Sequence, residues 1–135
     1  MRDSKDLTIG FIGAGNMAEA MMKGLAPSGA ALFVHDVAQE KASTLAKACG
    51  ARSLASNCEV LRESTIVILA IKPGVYDSVL SEIASSVLDD HLIVSIAPGI
   101  TKERIRGYFP THPRLIRMMP NTPALVGEGM IVLSP

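Results

Sequence analysis

The stretch from Leu7 to Ala18 constrains this chain more than any other. Leu7 to Ile12 is a short apolar run that ends in Gly13-Ala14-Gly15-Asn16-Met17-Ala18. Such a run suits a parallel strand buried on both faces. The pattern G-x-G-x-x-G/A between a strand and a helix is the phosphate-binding turn of dinucleotide-binding units. Each position has a physical reason. Gly13 permits the tight turn, Gly15 lets a pyrophosphate approach the backbone, and Ala18 lets the helix pack near the strand. The unpaired amides at the helix start then face an anion. Glu19 suits the helix dipole and reads as structural. The competing reading is a glycine turn chosen only for packing.

Beyond this turn, strands and helices alternate. Asn16 to Leu25 reads as a helix with Met17, Ala20, Met21, Gly24 and Leu25 on one face, stopped by Pro27-Ser28-Gly29. Leu32 to His35 reads as a strand. Gln39 to Cys49 reads as a helix, with Ala42, Leu45, Ala46 and Cys49 inward and Gly50 as its stop. Ser56 and Glu59 have the spacing of a capping box. Thr65 to Ile71, TIVILAI, is the purest strand. Val75 to Leu88 reads as a helix, His91 to Ile96 as a strand, and Thr101 to Phe109 as a helix capped by Thr101. Arg114 to Met118 and Met130 to Leu133 complete the series. The alternation predicts an α/β fold: a doubly wound, mostly parallel Rossmann-type sheet with helices on both faces. Residues 1–135 then form a single dinucleotide-binding domain.

In such a sheet, ligands bind beyond the carboxyl ends of the strands. Asp36 ends the second strand, 23 residues after Gly13. An acid about 20 residues on accepts hydrogen bonds from the adenosine ribose and repels a 2′-phosphate. That spacing favours NADH over NADPH; the alternative is that Asp36 only caps the next helix. Lys72 is a lone cation after TIVILAI. It reads either as a contact to a nicotinamide ribose or substrate carboxylate, or as a solvated strand-end lysine. Asn121 either bonds a carboxamide or holds its loop in an Asx turn. Arg104, Arg106, Arg114 and Arg117 read mainly as solvated charges.

Composition narrows the ligand class. Thirteen Lys and Arg balance thirteen Asp and Glu, and the aromatic content is 4% without Trp. This disfavours nucleic-acid binding, by electrostatics and by base stacking alike. No apolar run approaches a membrane span, and the polar start does not lead into a signal peptide. Cys49 and Cys58 lack metal or CxxC spacing and read as free thiols. The three histidines are scattered, so no metal site is expected. Together these point to a cytoplasmic protein that handles a small molecule.

The motifs GFIGAGNMAEAM, VILAIKP, VSIAPGIT and RLIRMMPNTPALVGEGM resemble the N-terminal domain of pyrroline-5-carboxylate reductases, in order and spacing. The resemblance runs from Leu7 to the end. MPNTPALV is its most specific part, since GFIGxG is shared with β-hydroxyacid dehydrogenases. The resemblance implies reduction of 1-pyrroline-5-carboxylate to proline with NADPH or NADH. It implies that Gly13, Ala14, Gly15, Asn16 and Met17 bind the pyrophosphate and that Asn57 approaches the adenosine. It further implies that Ala70, Ile71, Lys72, Pro73, Ser95, Ile96 and Ala97 line the nicotinamide half, with Asn121 and Thr122 on the substrate side. Asp36 and Val37 stand where many members carry Ser or Thr with an Arg nearby, a departure toward NADH. Pro98 replaces a small residue of VSIAAG, which alters loop rigidity.

Members of that family continue into a helical domain that forms homo-oligomers and closes over the imine substrate. The chain ends at Ile131-Val132-Leu133-Ser134-Pro135, within a segment that reads as a strand. The expectation is a cofactor domain that binds dinucleotide and turns over weakly or not at all. No residue is assigned as the acid that protonates the imine. The alternatives are a β-hydroxyacid dehydrogenase relative and a stand-alone dinucleotide-sensing module.

Overall fold

The computed structural model describes residues 7–120 and 131–134. Seven strands form one sheet: β1 Thr8–Ile12, β2 Ala31–His35, β3 Arg52–Ser53, β4 Ile66–Leu69, β5 Leu92–Ser95, β6 Arg114–Pro120 and β7 Ile131–Ser134. Their spatial order is β3-β2-β1-β4-β5-β6-β7. All pairs are parallel except β6 with β7, which is antiparallel. The order reverses at β1, where the chain goes first one way and then returns to place β4 on the other side. That reversal is where an open α/β sheet leaves a crevice for a ligand.

Among the described residues, five α-helices connect the strands: α1 Asn16–Leu25, α2 Gln39–Cys49, α3 Asn57–Glu63, α4 Tyr76–Ile83 and α5 Lys102–Arg106. Residue alternation along the strands sorts them to two faces. Ile9, Phe11, Leu32 and Val34 pack with Ala18, Met21 and Met22 of α1 and with Ala42, Leu45 and Ala46 of α2. Ile12, Phe33, Val67 and Leu69 point the other way, onto Val60 and Leu61 of α3, Leu80 and Ile83 of α4 and Ile105 of α5. Each fully buried Leu or Ile contributes about 1.5–3 kcal/mol relative to exposure.

Several local expectations shift by a turn or a face. In α1 the buried set is Ala18, Ala20, Met21 and Met22, while Gly24 is exposed. The helix is rotated from the expected face because Ala18, the small third position of the turn, is driven against the sheet. The long helix expected at Val75 to Leu88 is shorter, flanked by 3-10 turns at Pro73–Val75 and Ala84–Ser86. The helix expected to reach Phe109 ends at Arg106. Phe109 is still buried, carried by the following turn. The two-residue β3 has no sequence signal, since a strand so short shows no periodicity.

Caps form where side chains are available. Ser56 accepts a hydrogen bond from the Glu59 amide at 3.1 Å, and Thr101 accepts from the Arg104 amide at 3.1 Å. Each such cap contributes about 1 kcal/mol. The returning half of the box differs from expectation: Glu59 Oε2 accepts from the amide of Ala55, at 3.2 Å, rather than from Ser56.

Two buried contacts pin the layers. A Cβ at Gly10 would overlap the side chains of Val60 and Ser64, so the glycine lets α3 lie directly on β1. His91 accepts from the Leu88 amide at Nδ1 (2.8 Å), so its Nε2 carries the proton donated to the Leu61 carbonyl (2.8 Å). This links the end of α3 to the start of β5.

Candidate dinucleotide site

The sheet register brings the expected site together. His35, Ile12, Leu69, Ser95 and Arg117 stand side by side across five parallel strands. The loops carrying Asp36, Gly13, Ala70 and Ile96 therefore leave the sheet at one level, along one carboxyl edge. Two further hydrogen bonds extend the ladder past the strands: Gly13 N to the His35 carbonyl at 2.8 Å and Ala70 N to the Ile12 carbonyl at 2.9 Å.

The two glycines of the turn are required for different reasons. Gly13 has φ +108°, a conformation for which side chains are strained, and a Cβ there would overlap the Ala70 carbonyl. It is demanded by the fold. Gly15 has φ −83° and ψ −168°, ordinary extended backbone, and a Cβ there would meet no protein atom within 4 Å. Neither conformation nor internal packing calls for glycine at that position. The space its missing side chain leaves lies at the N-terminus of α1.

The start of α1 fits an anion. Gly15 is the residue before the helix and offers no side-chain cap, unlike Ser56 before α3 and Thr101 before α5. Its first-turn amides are left for solvent or a ligand. A cleft of about 460 Å³ opens beside the turn, lined by Gly15 and Asn16 together with Glu40, Lys41 and Thr44 of α2.

Asp36 is locked in place. Its Oδ2 accepts from the Ala14 amide at 2.8 Å and its Oδ1 from the Ala38 amide at 2.8 Å. The carboxylate thus joins the second strand's loop to the glycine turn. The bond to Ala38 is an Asx turn ahead of α2, whose N-cap residue Ala38 has no side-chain cap. The Ala14 amide is spent on Asp36, so the amides left open by the turn lie further on, in the first turn of α1. Val37, next to it, is 92% exposed.

Asn57 begins α3 and is 6% exposed. Its Nδ2 donates to Glu82 Oε1 at 3.1 Å, while its Oδ1 is buried without a hydrogen-bond partner. A buried amide oxygen lacking a donor is costly unless a ligand supplies one. Lys72 is exposed and makes no ion pair among the described residues. Pro73 and Ile71 flank it, Pro73 exposed and Ile71 partly buried. Ser95 is 1% exposed, and its hydroxyl meets the Tyr76 hydroxyl at 2.9 Å inside the protein. Ile96 and Ala97 follow it out of the sheet, Ile96 half-buried and Ala97 buried, and the exposed part of that loop begins at Pro98. Asn121 and Thr122 lie outside the described residues.

Tyr76 is the residue that sequence reasoning passed over. Its spacing to Val79, Leu80 and Ile83 places it on the buried face of α4, and a buried phenol needs a polar partner. That pattern was the available signal. Among the described residues, no cluster of three or more His, Cys, Asp or Glu could hold a metal, and no helix is long and apolar enough to cross a membrane. Cys49 and Cys58 are free. Burial pushes the Cys49 thiol pKa up.

Comparison with known proteins agrees with this geometry. The chain is 41% identical over 131 residues to the pyrroline-5-carboxylate reductase of Escherichia coli K12, covering 94% of this chain and 49% of that protein. It is 37% identical to pyrroline-5-carboxylate reductase 3 of mouse, covering 97% of this chain and 49% of the relative. The chain spans about half the length of the curated relatives it matches. Among solved structures, the Plasmodium falciparum pyrroline carboxylate reductase with NADP bound superposes with a TM-score of 0.81 at 28% identity. That match covers 96% of this chain and 48% of the other. The reductase of Coxiella burnetii gives 0.82 at 30% identity, over 98% of this chain and 49% of the other. Residues 8–99 match the family model described as NADP oxidoreductase, coenzyme F420-dependent. The chain belongs to this family of NADP oxidoreductases, and its fold is the dinucleotide-binding fold that the glycine turn and the sheet order indicate.

Proposed function

We propose that the chain carries the cofactor-binding part of an enzyme that reduces 1-pyrroline-5-carboxylate to L-proline with NADH or NADPH. One observation carries the dinucleotide half of this reading: Gly15, a glycine that neither its backbone angles nor its neighbours require, at an uncapped helix start. The orphaned Oδ1 of Asn57 supports it as a second place awaiting a donor. The substrate half rests on the similarity to proteins named pyrroline-5-carboxylate reductase, at 35–41% identity.

On this reading the nicotinamide, when bound, supplies a hydride to the carbon of the substrate C=N bond. The chain's own residues bind and orient. The amides at the start of α1 hold the pyrophosphate, the Asp36 carboxylate meets the adenosine ribose, and Asn57 accepts from the adenosine side. The loops at Ala70–Pro73 and Ser95–Ala97 shape the nicotinamide half and exclude water from it. Lys72, without an ion pair among the described residues and at the mouth of that half, attracts an anionic group such as the substrate carboxylate. The enzyme acts in the cytoplasm, where its two thiols stay reduced. The homo-oligomer that the resemblance implies belongs to the same reading.

The test is a titration with NADH followed by an assay for proline. The expected result is saturable NADH binding and slow formation of proline from pyrroline-5-carboxylate, one per NADH consumed. Oxidation of a 3-hydroxy acid with NAD⁺ in its place overturns the substrate assignment.

Cofactor preference is a separate proposal, for NADH. A fixed carboxylate stands where a 2′-phosphate would approach, and exposed Val37 offers no cation to offset it. Two like charges about 4 Å apart near a protein surface repel by up to about 4 kcal/mol. Asp36→Ser is expected to shift the Kd ratio toward NADPH by at least about tenfold, measured by titration with both cofactors. A protein that already binds NADPH more tightly than NADH removes this role from Asp36.

A further inference from the structure

Tyr76 stands at the start of α4 with none of its surface exposed. Its hydroxyl lies 3.2 Å from the Leu69 carbonyl and 2.9 Å from Ser95 Oγ. A carbonyl only accepts and a phenol has one proton, so the direction of the chain follows. Tyr76 donates to Leu69, and Ser95 donates to Tyr76. Leu69 is the last residue of β4 and Ser95 the last of β5, and the two are paired in register. One phenol therefore closes the base of the Ala70–Val75 loop and fastens it to the root of the Ile96-Ala97 loop.

We infer that Tyr76 is a positioning residue for the nicotinamide half of the site, holding the β4 and β5 loops in one geometry through the Ser95–Tyr76–Leu69 chain. The inference rests on the dinucleotide reading above. It assigns Ser95 an indirect part: its proton is turned inward, so it sets where Ile96 and Ala97 lie. Full burial excludes Tyr76 as the group that protonates a substrate. Burial also pushes the phenol pKa up, offset in part by Ser95 and by the amides of Ala97 and Ile96, so the phenol stays a hydrogen-bond donor at neutral pH. The glycine turn meets the β4 loop at Ala70, but among the described residues no hydrogen bond joins Asp36 to the Ser95–Tyr76–Leu69 chain.

The test separates the two halves of the ligand. The full chain is titrated with NADH and, separately, with ADP, which carries the adenosine and phosphates but no nicotinamide. Tyr76→Phe is expected to raise the Kd for NADH about tenfold, as loss of a buried hydrogen bond predicts, and to leave the Kd for ADP within about twofold. Ser95→Ala removes the same chain from its other end. It is expected to match Tyr76→Phe, with the double variant no weaker than either single one. Should Tyr76→Phe fail to fold, Ser95→Ala carries the test alone. Equal weakening of NADH and ADP overturns the inference, because a merely structural role acts on both. So does an unchanged ratio. A wild-type protein that binds neither ligand overturns the dinucleotide reading itself, which the ADP titration reports directly.

Discussion

Gly15→Val is expected to leave the protein folded and to raise its Kd for NADH at least about a hundredfold. A Cβ at this position has no protein atom within 4 Å, so the side chain starts into open space, and φ −83° is open to any residue. The position precedes α1, where valine is a poorer start than glycine, so the stability cost is about 1 kcal/mol or less. Binding is another matter. The isopropyl group would fill the space through which a phosphate reaches the helix amides, and those amides have no substitute. A thermal melt should show nearly the same Tm without ligand and no stabilisation by saturating NADH, which ought to raise the wild-type Tm. Undiminished binding by the valine variant would place the phosphates elsewhere.

Gly13→Ala, two residues away, is expected to fail differently. At φ +108° an alanine is strained by about 1–3 kcal/mol, and its methyl would press on the Ala70 carbonyl and on Ile71 Cγ2. Overpacking of this kind adds about 1–3 kcal/mol more. A total of about 2–6 kcal/mol is a large share of the stability of a small domain, and the Tm should fall by roughly 6–25 °C. NADH binding should fall as well, since the turn and the Ala70 loop would move apart. The two variants together distinguish a glycine that serves the fold from one that serves a ligand. Equal stability loss in both would contradict that division.

The motif itself could not make this distinction. G-x-G-x-x-A names both glycines, and only the coordinates show that one is held by backbone angle and by Ala70 while the other borders empty space. Much of the architecture was nevertheless legible. TIVILAI and the Leu7 to Ile12 run carry enough β-branched and apolar residues to mark central strands. Gly50 marked the end of α2, where it sits at φ +67°. Ser56 and Thr101 marked the starts of α3 and α5. Boundaries were less legible where packing rather than local preference sets them. The α4 segment has a continuous apolar face, yet its two ends tighten into 3-10 turns, and Gly24 faces solvent because Ala18 sets the rotation of α1.

The site divides in the same way. Asp36 could be assigned to a ribose or to a cap from its spacing, and its two oxygens accept from the Ala14 and Ala38 amides. Spacing gave no hint that one of them would reach back 22 residues to the Ala14 amide. Ser95 was expected among the ligand-facing residues, and it is near them, but its hydroxyl turns inward to Tyr76. Strand alternation places such a residue on the side of the sheet that α4 covers, and only the assembled layers reveal the partner.

By itself, then, the sequence determined the strand-helix alternation and the glycine turn between β1 and α1, because these depend on neighbours within a few residues. Tertiary structure decided which glycine the fold requires, where the Asp36 carboxylate is held, and that Tyr76 ties two loops together. Those facts depend on contacts between segments far apart in the chain, set by the register of parallel strands, and no local pattern encodes them.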